Sequence, residues 1–297
     1  MALAGAVERP DRQGMTAGNS PATRRRFAQV DVFVSGPYSG NPLAVVLDGE
    51  GLSTEQMQRF ANWTNLSETT FLLPPTAPEA DYRVRIFTPA EELPFAGHPT
   101  LGSAHTWLTN GGRAKGEHVV QECGAGLVRV RTDGGALAFA APPLIRSGPV
   151  DAAERARVVE YLRIPDSDVV DITWADNGPG WIAVLMKDAQ AVLDVSPGFV
   201  DASVGIVGPH PAGAPFAFEV RGFFPNAGST VEDPVTGSLN AGLAQWLLST
   251  GRAIAPYTAR QGTAIGRDGR VSIDQDEDGT IWVGGASVTS VTGDVLI

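Results

Sequence analysis

Cysteine is almost absent: Cys123 is the only one in 297 residues. No intrachain disulfide can form, and a thiolate metal cage is excluded. A lone thiol suits a reducing compartment, so a cytoplasmic location is expected. Histidine is nearly as scarce, with four residues. No H-E-x-x-H or comparable cluster is present, so neither a metal nor a cofactor is expected. Basic residues are outnumbered, 22 against 33, for a net charge of −11. A phosphate-binding surface wants the opposite sign, so nucleic acid is not an expected partner. Apolar runs stay well below the ~18 residues of a membrane span. Paired arginines at 24–26 could open an export signal, but "AQVDVFVSGPYSGNP" follows where such a signal needs an apolar stretch. A G-x-S-x-G nucleophile elbow is missing. The "GAG" at 124–126 leads into a strand and lacks a third glycine, which excludes a dinucleotide-binding turn.

What is present is a hydrophobic fraction of 43% and a length that fits two domains at about 150 residues each. Residues 1–26 are polar and rich in Gly, Pro and Arg, and are expected to form a disordered tail, with Met15 an alternative start. Beyond them the chain echoes itself. "VRIFTP" (84–89) returns as "VRGFFP" (220–225), and "GHPTLGSAHTWL" (97–108) as "GSLNAGLAQWLL" (237–248). "AVVLD" (44–48) is matched by "AVLMKD" (183–188), and two Asp-Gly hairpins close the two halves. The echo predicts a duplicated α+β domain: a lobe over 27–145, a second over 146–297, and the Pro-rich stretch 141–150 as linker. Strands are predicted at 27–35, 43–47, 69–73, 82–87 and 119–121. Helices are predicted at 54–63, capped by Ser53, and at 98–110, stopped by Gly111-Gly112. Trp63, Trp107 and Trp246 are expected in the core.

Two such lobes make a cleft, and small-molecule sites favour domain interfaces. Each long helix opens at a repeated glycine, Gly97 or Gly237, and a helix N-terminus is an anion site with free N–H groups. His98 and Ser238 follow the glycines directly. Asp233 in "EDPVTGS" precedes the second helix, and Glu68 in "NLSETTF" precedes a strand. Two carboxylates, an imidazole, a hydroxyl and two helix termini can move a proton between carbons and hold an anionic intermediate. Each residue also has a structural reading: Asp233 and Ser238 as caps, His98 as a packed residue, Glu68 as a surface charge. The same residue types also admit a Ser–His–Asp hydrolase built on Ser238, His98 and Asp233. A binding protein without catalysis is the third reading.

"GNPLAVVL", "NLSETTF", "PFAGHPTLG", "EDPVTGSLNAGLA" and "RQGTAIGRDG" together resemble the signatures of the PhzF family, the phenazine-biosynthesis-like isomerases with the diaminopimelate epimerase fold. The resemblance runs from about residue 27 to the C-terminus. It implies two pseudo-symmetric lobes, each a barrel-like sheet around a central helix. It implies a homodimer and a metal-independent, cofactor-independent isomerase acting on a small unsaturated carboxylate or amino-acid-like metabolite. It places the proton-shuttling acid and base on Glu68, with His98 and Asp233 assisting. Gly97, Gly237, Ser238, Asn41 and Ser67 fall on substrate contacts. Epimerases of this fold use two cysteines, one from each half. Here Ala96 precedes Gly97 and the second half has no cysteine, so two-thiol racemisation is not expected.

Overall fold

The computed structural model describes residues 22–133, 135–226 and 228–297. Most of the expected tail lies outside the described residues. Residues 24–26, however, are not tail: they open the first strand, where Arg26 pairs with Asp48 at 2.7 Å. That strand, β1 (Arg24–Val32), also stops earlier than expected, because Phe33 takes a φ of 64° that a strand cannot hold.

The first half continues through β2 (Asn41–Val46), α1 (Thr54–Thr64), β3 (Glu68–Leu73), β4 (Tyr82–Phe87), β5 (Glu92–Leu93), α2 (Gly97–Thr109), β6 (Val119–Cys123), β7 (Gly126–Asp133) and β8 (Ala136–Ala140). The second runs β9 (Arg146–Pro149), α3 (Ala152–Leu162), β10 (Val169–Asp176), β11 (Ile182–Met186), α4 (Ala189–Leu193), β12 (Val204–Pro209), β13 (Phe218–Asn226), β14 (Ser229–Asp233), α5 (Gly237–Ser249), β15 (Tyr257–Gln261), β16 (Gly269–Gln275), β17 (Ile281–Gly285) and β18 (Ser287–Leu296). This is a mixed α+β chain with a large sheet and few helices. The strands form one 18-stranded sheet among the described residues.

Pairing repeats in the two halves. One run reads β18, β1, β2, β3, β4, β6, β7, β8; the other reads β9, β10, β11, β12, β13, β15, β16, β17. In both, the third and fourth strands are parallel, as are the fifth and sixth. β8 and β17 pair and join the runs. The echoed "VRIFTP" and "VRGFFP" are β4 and β13.

One terminal strand crosses the expected division. β18 lies in the second half of the chain but pairs along β1, from Arg24 with Leu296 to Val32 with Ser287. β9, expected as linker, pairs with β10. The second half thus sends its last strand to the edge of the first, while β9 stays with the second. A strand's alternation records that one face is buried, not whose edge supplies its hydrogen bonds.

α2 packs against β1, β2, β3, β8 and β18, and α5 against β10, β16 and β17. Strands on several sides demand small residues on the helices. A Cβ on Gly102 would stand 2.6 Å from Leu43 Cδ2, and one on Gly242 would stand 2.4 Å from the Ala175 carbonyl oxygen. The buried hydroxyls are satisfied: Ser103 donates to Thr70 at 3.0 Å, and Thr106 to the Gly102 carbonyl at 2.8 Å. α1 starts at Ser53 with the expected cap and a reciprocal Gln56 bond. It covers a separate cluster of Met57, Ala61, Phe71 and Phe87. Trp246 is buried and Trp107 stacks on Tyr82. Trp63 is 79% exposed, contrary to expectation, because it sits on the outer face of α1. No described helix is long and apolar enough to cross a membrane.

Candidate active site

α2 and α5 meet end to end. A Cβ on Gly97 would lie 2.8 Å from Gly237 Cα, and one on Gly237 would lie 2.8 Å from Gly97 Cα. Only two glycines allow that approach. The residues before them, Ala96 and Thr236, are extended and make no side-chain cap. The first helical bonds run from Thr100 N–H to Ala96 and from Asn240 N–H to Thr236. The amides of Gly97, His98, Gly237 and Ser238 therefore have no acceptor within their helices. Pro99 contributes none, which costs nothing at this position. Two positive helix ends converge on one place.

His98 and Glu68 face each other there. β3 starts at Glu68, beside Leu43 of β2, and so delivers the carboxyl to the α2 N-terminus. Glu68 Oε2 stands 3.2 Å from His98 Nε2, with the side chains 16% and 5% exposed. The contact is close but is not a hydrogen bond, and both atoms are buried without a hydrogen-bond partner. Buried polar atoms are normally paired, so two adjacent exceptions mark a place where a ligand can complete the bonding.

Asp233 ends β14 and comes from the other half of the chain. It is not a cap. Its carboxylate accepts from Thr236 Oγ1 at 2.6 Å and from Asn41 Nδ2 at 3.0 Å. Asn41 Nδ2 also donates to the Val235 carbonyl at 2.9 Å and lies 3.4 Å from His98 Nδ1. Those two short bonds take both amide protons, so the His98 contact is the weakest of the three. They also fix which end of the amide is oxygen, and Asn41 Oδ1 is left buried and unpartnered.

The electrostatics follow from burial. Glu68 is pushed up to about 8, first by desolvation and then by the charge of Asp233. Asp233 rises to about 6 by desolvation, opposed by its bonds from Thr236 and Asn41. Desolvation lowers His98 to about 3. At neutral pH the imidazole is neutral, and Asp233 is the charged carboxylate of the pair.

The structure thus brings together Glu68, His98, Asp233, Asn41, Gly97 and Gly237. Ser238 sits on the flank: its Oγ accepts from Trp181 Nε1 at 3.0 Å, and Asn177 Nδ2 donates to its carbonyl at 2.9 Å. No hydrogen bond joins Ser238 to His98, whose two ring nitrogens face Asn41 and Glu68. The Ser–His step of a hydrolase triad is therefore missing. Ser67 lies on the bend before β3 and takes no part in these hydrogen bonds. Sequence reasoning missed Thr236, Trp181, Asn177 and Gln261. Gln261 accepts from the Thr236 amide at 3.0 Å and donates to Thr236 Oγ1 at 2.9 Å, locking the turn that carries Asp233. Its only signal was its place in "RQGTAIGRDG". Among the described residues no group of three or more His, Cys, Asp or Glu side chains is placed to hold a metal. Two surface cavities, of ~520 and ~310 Å³, lie along α1 and β4 and include none of the catalytic candidates.

The chain is similar to known proteins over most of its length. The chain is 35% identical over 300 residues to antisense-enhancing sequence 1 of Schizosaccharomyces pombe, covering 93% of this chain and all of that protein. It is 36% identical over 263 residues to trans-2,3-dihydro-3-hydroxyanthranilate isomerase of Pseudomonas aeruginosa, covering 83% of this chain and 88% of that one. A PhzF-family phenazine biosynthesis protein of Bacillus anthracis superposes with a TM-score of 0.78 over 93% of this chain and 100% of its own, at 23% identity, a likeness of fold. The family model for phenazine biosynthesis-like proteins, PhzC-PhzF, matches residues 30–293, and the chain belongs to that family.

Proposed function

We propose that this protein is an isomerase that moves a proton between two carbons of a small unsaturated amino-carboxylate by general acid–base catalysis, without metal or organic cofactor. The observation that carries the reading is the Glu68–His98 pair, whose facing atoms Oε2 and Nε2 are buried, 3.2 Å apart and without hydrogen-bond partners, beside two uncapped helix N-termini. The repeated pairing order supports two duplicated lobes, each wrapped on its own helix, with the site where the helices meet. By family likeness the working unit is a homodimer.

Glu68 in its ionised form, the minority at neutral pH, takes a proton from an acidic carbon of the substrate. The electron pair left behind spreads into the unsaturated system and the substrate carboxylate. The amides of Gly97, His98, Gly237 and Ser238 stabilise that charge. Glu68 then returns the proton to a different carbon, so the product is an isomer and no electrons are gained or lost. A carboxyl pushed up to about 8 serves in both directions, since the best acid–base group has its pKa near the working pH. Neutral His98 lines the transfer path, and ionised Asp233 holds Asn41 in place while raising the proton affinity of Glu68.

The test is incubation in D₂O with trans-2,3-dihydro-3-hydroxyanthranilate, the compound for which the Pseudomonas aeruginosa relative is named. Wild type should yield an isomer carrying carbon-bound deuterium, seen by NMR and mass spectrometry. Glu68→Gln should lose about 10²–10⁴-fold in rate. Exchange by Glu68→Gln at the wild-type rate would place the base on another residue.

A further inference from the structure

The connection between β10 and β11, residues 177–181, touches the first turn of α5 at two points, both on Ser238. Trp181 Nε1 donates to Ser238 Oγ at 3.0 Å, and Asn177 Nδ2 donates to the Ser238 carbonyl at 2.9 Å. The connection is held in shape from within. Asp176 Oδ1 accepts from the amides of Gly178 and Gly180 at 2.7 and 2.8 Å. Those glycines take φ values of 141° and 77°, which other residues rarely adopt. Trp181 is 3% exposed, so its ring is held by the core while its N–H reaches the hydroxyl.

An indole N–H can only donate. The Ser238 oxygen is therefore the acceptor in this bond, and its single hydrogen is left for another group. Ser238 shares no hydrogen bond with His98, and among the described residues its hydroxyl donates to no group. The serine hydroxyl is turned into a donor, next to amides that are donors as well. An anion is the ligand that suits donors only.

We propose that Trp181 is a positioning residue: by donating to Ser238 Oγ it orients the hydroxyl hydrogen toward a carboxylate oxygen of the substrate, beside the Gly237 and Ser238 amides. The inference deepens the isomerase reading and rests on its placement of the substrate carboxylate at the α5 N-terminus. Trp181 itself touches no reacting atom. Its loss should weaken carboxylate binding while leaving proton transfer at Glu68 nearly intact.

The test uses wild type, Trp181→Phe, Ser238→Ala and the double variant. Binding of anthranilate is measured by calorimetry, and KM and kcat with trans-2,3-dihydro-3-hydroxyanthranilate. Ser238→Ala should weaken Kd and KM about tenfold, and Trp181→Phe about three- to tenfold, with any loss in kcat smaller than the loss in KM. In the Ser238→Ala background, Trp181→Phe should add less than about twofold, because the bond it removes is already gone. Equal losses in both backgrounds would make Trp181 merely structural and overturn the proposal. So would unchanged Kd and KM in Trp181→Phe alongside a weakened Ser238→Ala. Unchanged binding in Ser238→Ala would instead overturn the carboxylate placement on which the inference rests, as would an absence of anthranilate binding to wild type. A readout on the ligand-free protein guards against misfolding of Trp181→Phe. The Trp181 indole proton should shift upfield and exchange faster in Ser238→Ala than in wild type, and an unmoved resonance would remove the hydrogen bond from the argument.

Discussion

The two halves place different chemistry on the same frame. In the first, His98 follows the helix-opening glycine, Asn41 at the start of β2 reaches toward it, and Glu68 opens the neighbouring parallel strand. In the second, Ser238 follows the glycine, Trp181 just before β11 donates to it, and the neighbouring parallel strand opens at Val204. One half carries an imidazole and a carboxyl, both titratable, at its helix end. The other carries a hydroxyl and an apolar side chain at the matching places, neither of which titrates. Asp233 crosses the division: it belongs to the second half and, like the Val235 carbonyl, bonds Asn41 of the first. A repeated fold supplies two equivalent helix ends; under the function proposed above, substitution at a few positions makes one the acid–base side and the other the anchoring side.

The glycine contact is where the halves are most alike, and breaking it should have the largest effect. Gly97→Ala and Gly237→Ala each force a methyl to 2.8 Å from the opposite Cα. Each should cost about 1–3 kcal/mol in urea unfolding and depress activity strongly. The double variant should cost less than the sum, since both strain one contact. Full additivity would mean that the helix ends do not meet.

Stability against pH separates the halves next. Glu68 binds its proton more tightly folded than unfolded, so its contribution is fully present below its ordinary range and lost as pH rises toward about 8. Asp233 behaves alike, but its loss is complete by about 6. His98 is opposite: its neutral form suits the fold, so its contribution is present above about 6.5 and lost as pH falls toward about 3. Between about pH 6.5 and 8 only Glu68 of the three titrates. Unfolding free energy should fall there by at most about 1.4 kcal/mol per pH unit in wild type, and Glu68→Gln should flatten that slope. An equal slope in the variant would assign the titration elsewhere.

The smallest effect tests the link across the division. Asp233→Asn removes the negative charge that helps to hold Glu68 up. The pH–rate profile should move toward lower pH, with its shape retained. A shift the other way, or none, would uncouple the two carboxyls.

Much of this was legible in residues alone. "GHPTLG" and "GSLNAG" announce helices that open on glycine, and Ser53 with Gln56 announces α1, because caps and close approaches need particular residues at particular offsets. Glu68, His98 and Asp233 stood out because titratable groups beside helix ends have chemistry to offer. Trp181 and Asn177 did not, because a tryptophan after a glycine turn reads as core until the partner of its N–H is known. Trp63 misled for the same reason: apolar character does not say which face of a short helix meets the protein.

The sequence by itself determined the repeated elements, the helix starts and the set of groups able to move a proton, since local backbone preference and residue chemistry are properties of short stretches. Only the tertiary structure decided that β18 returns to β1, that Asp233 meets Asn41 and that Glu68 faces His98. It also decided that burial lifts Glu68 to about 8 while holding His98 neutral. Strand partners, desolvation and the charge of a distant carboxylate depend on which surfaces meet, and no single stretch of chain carries that information.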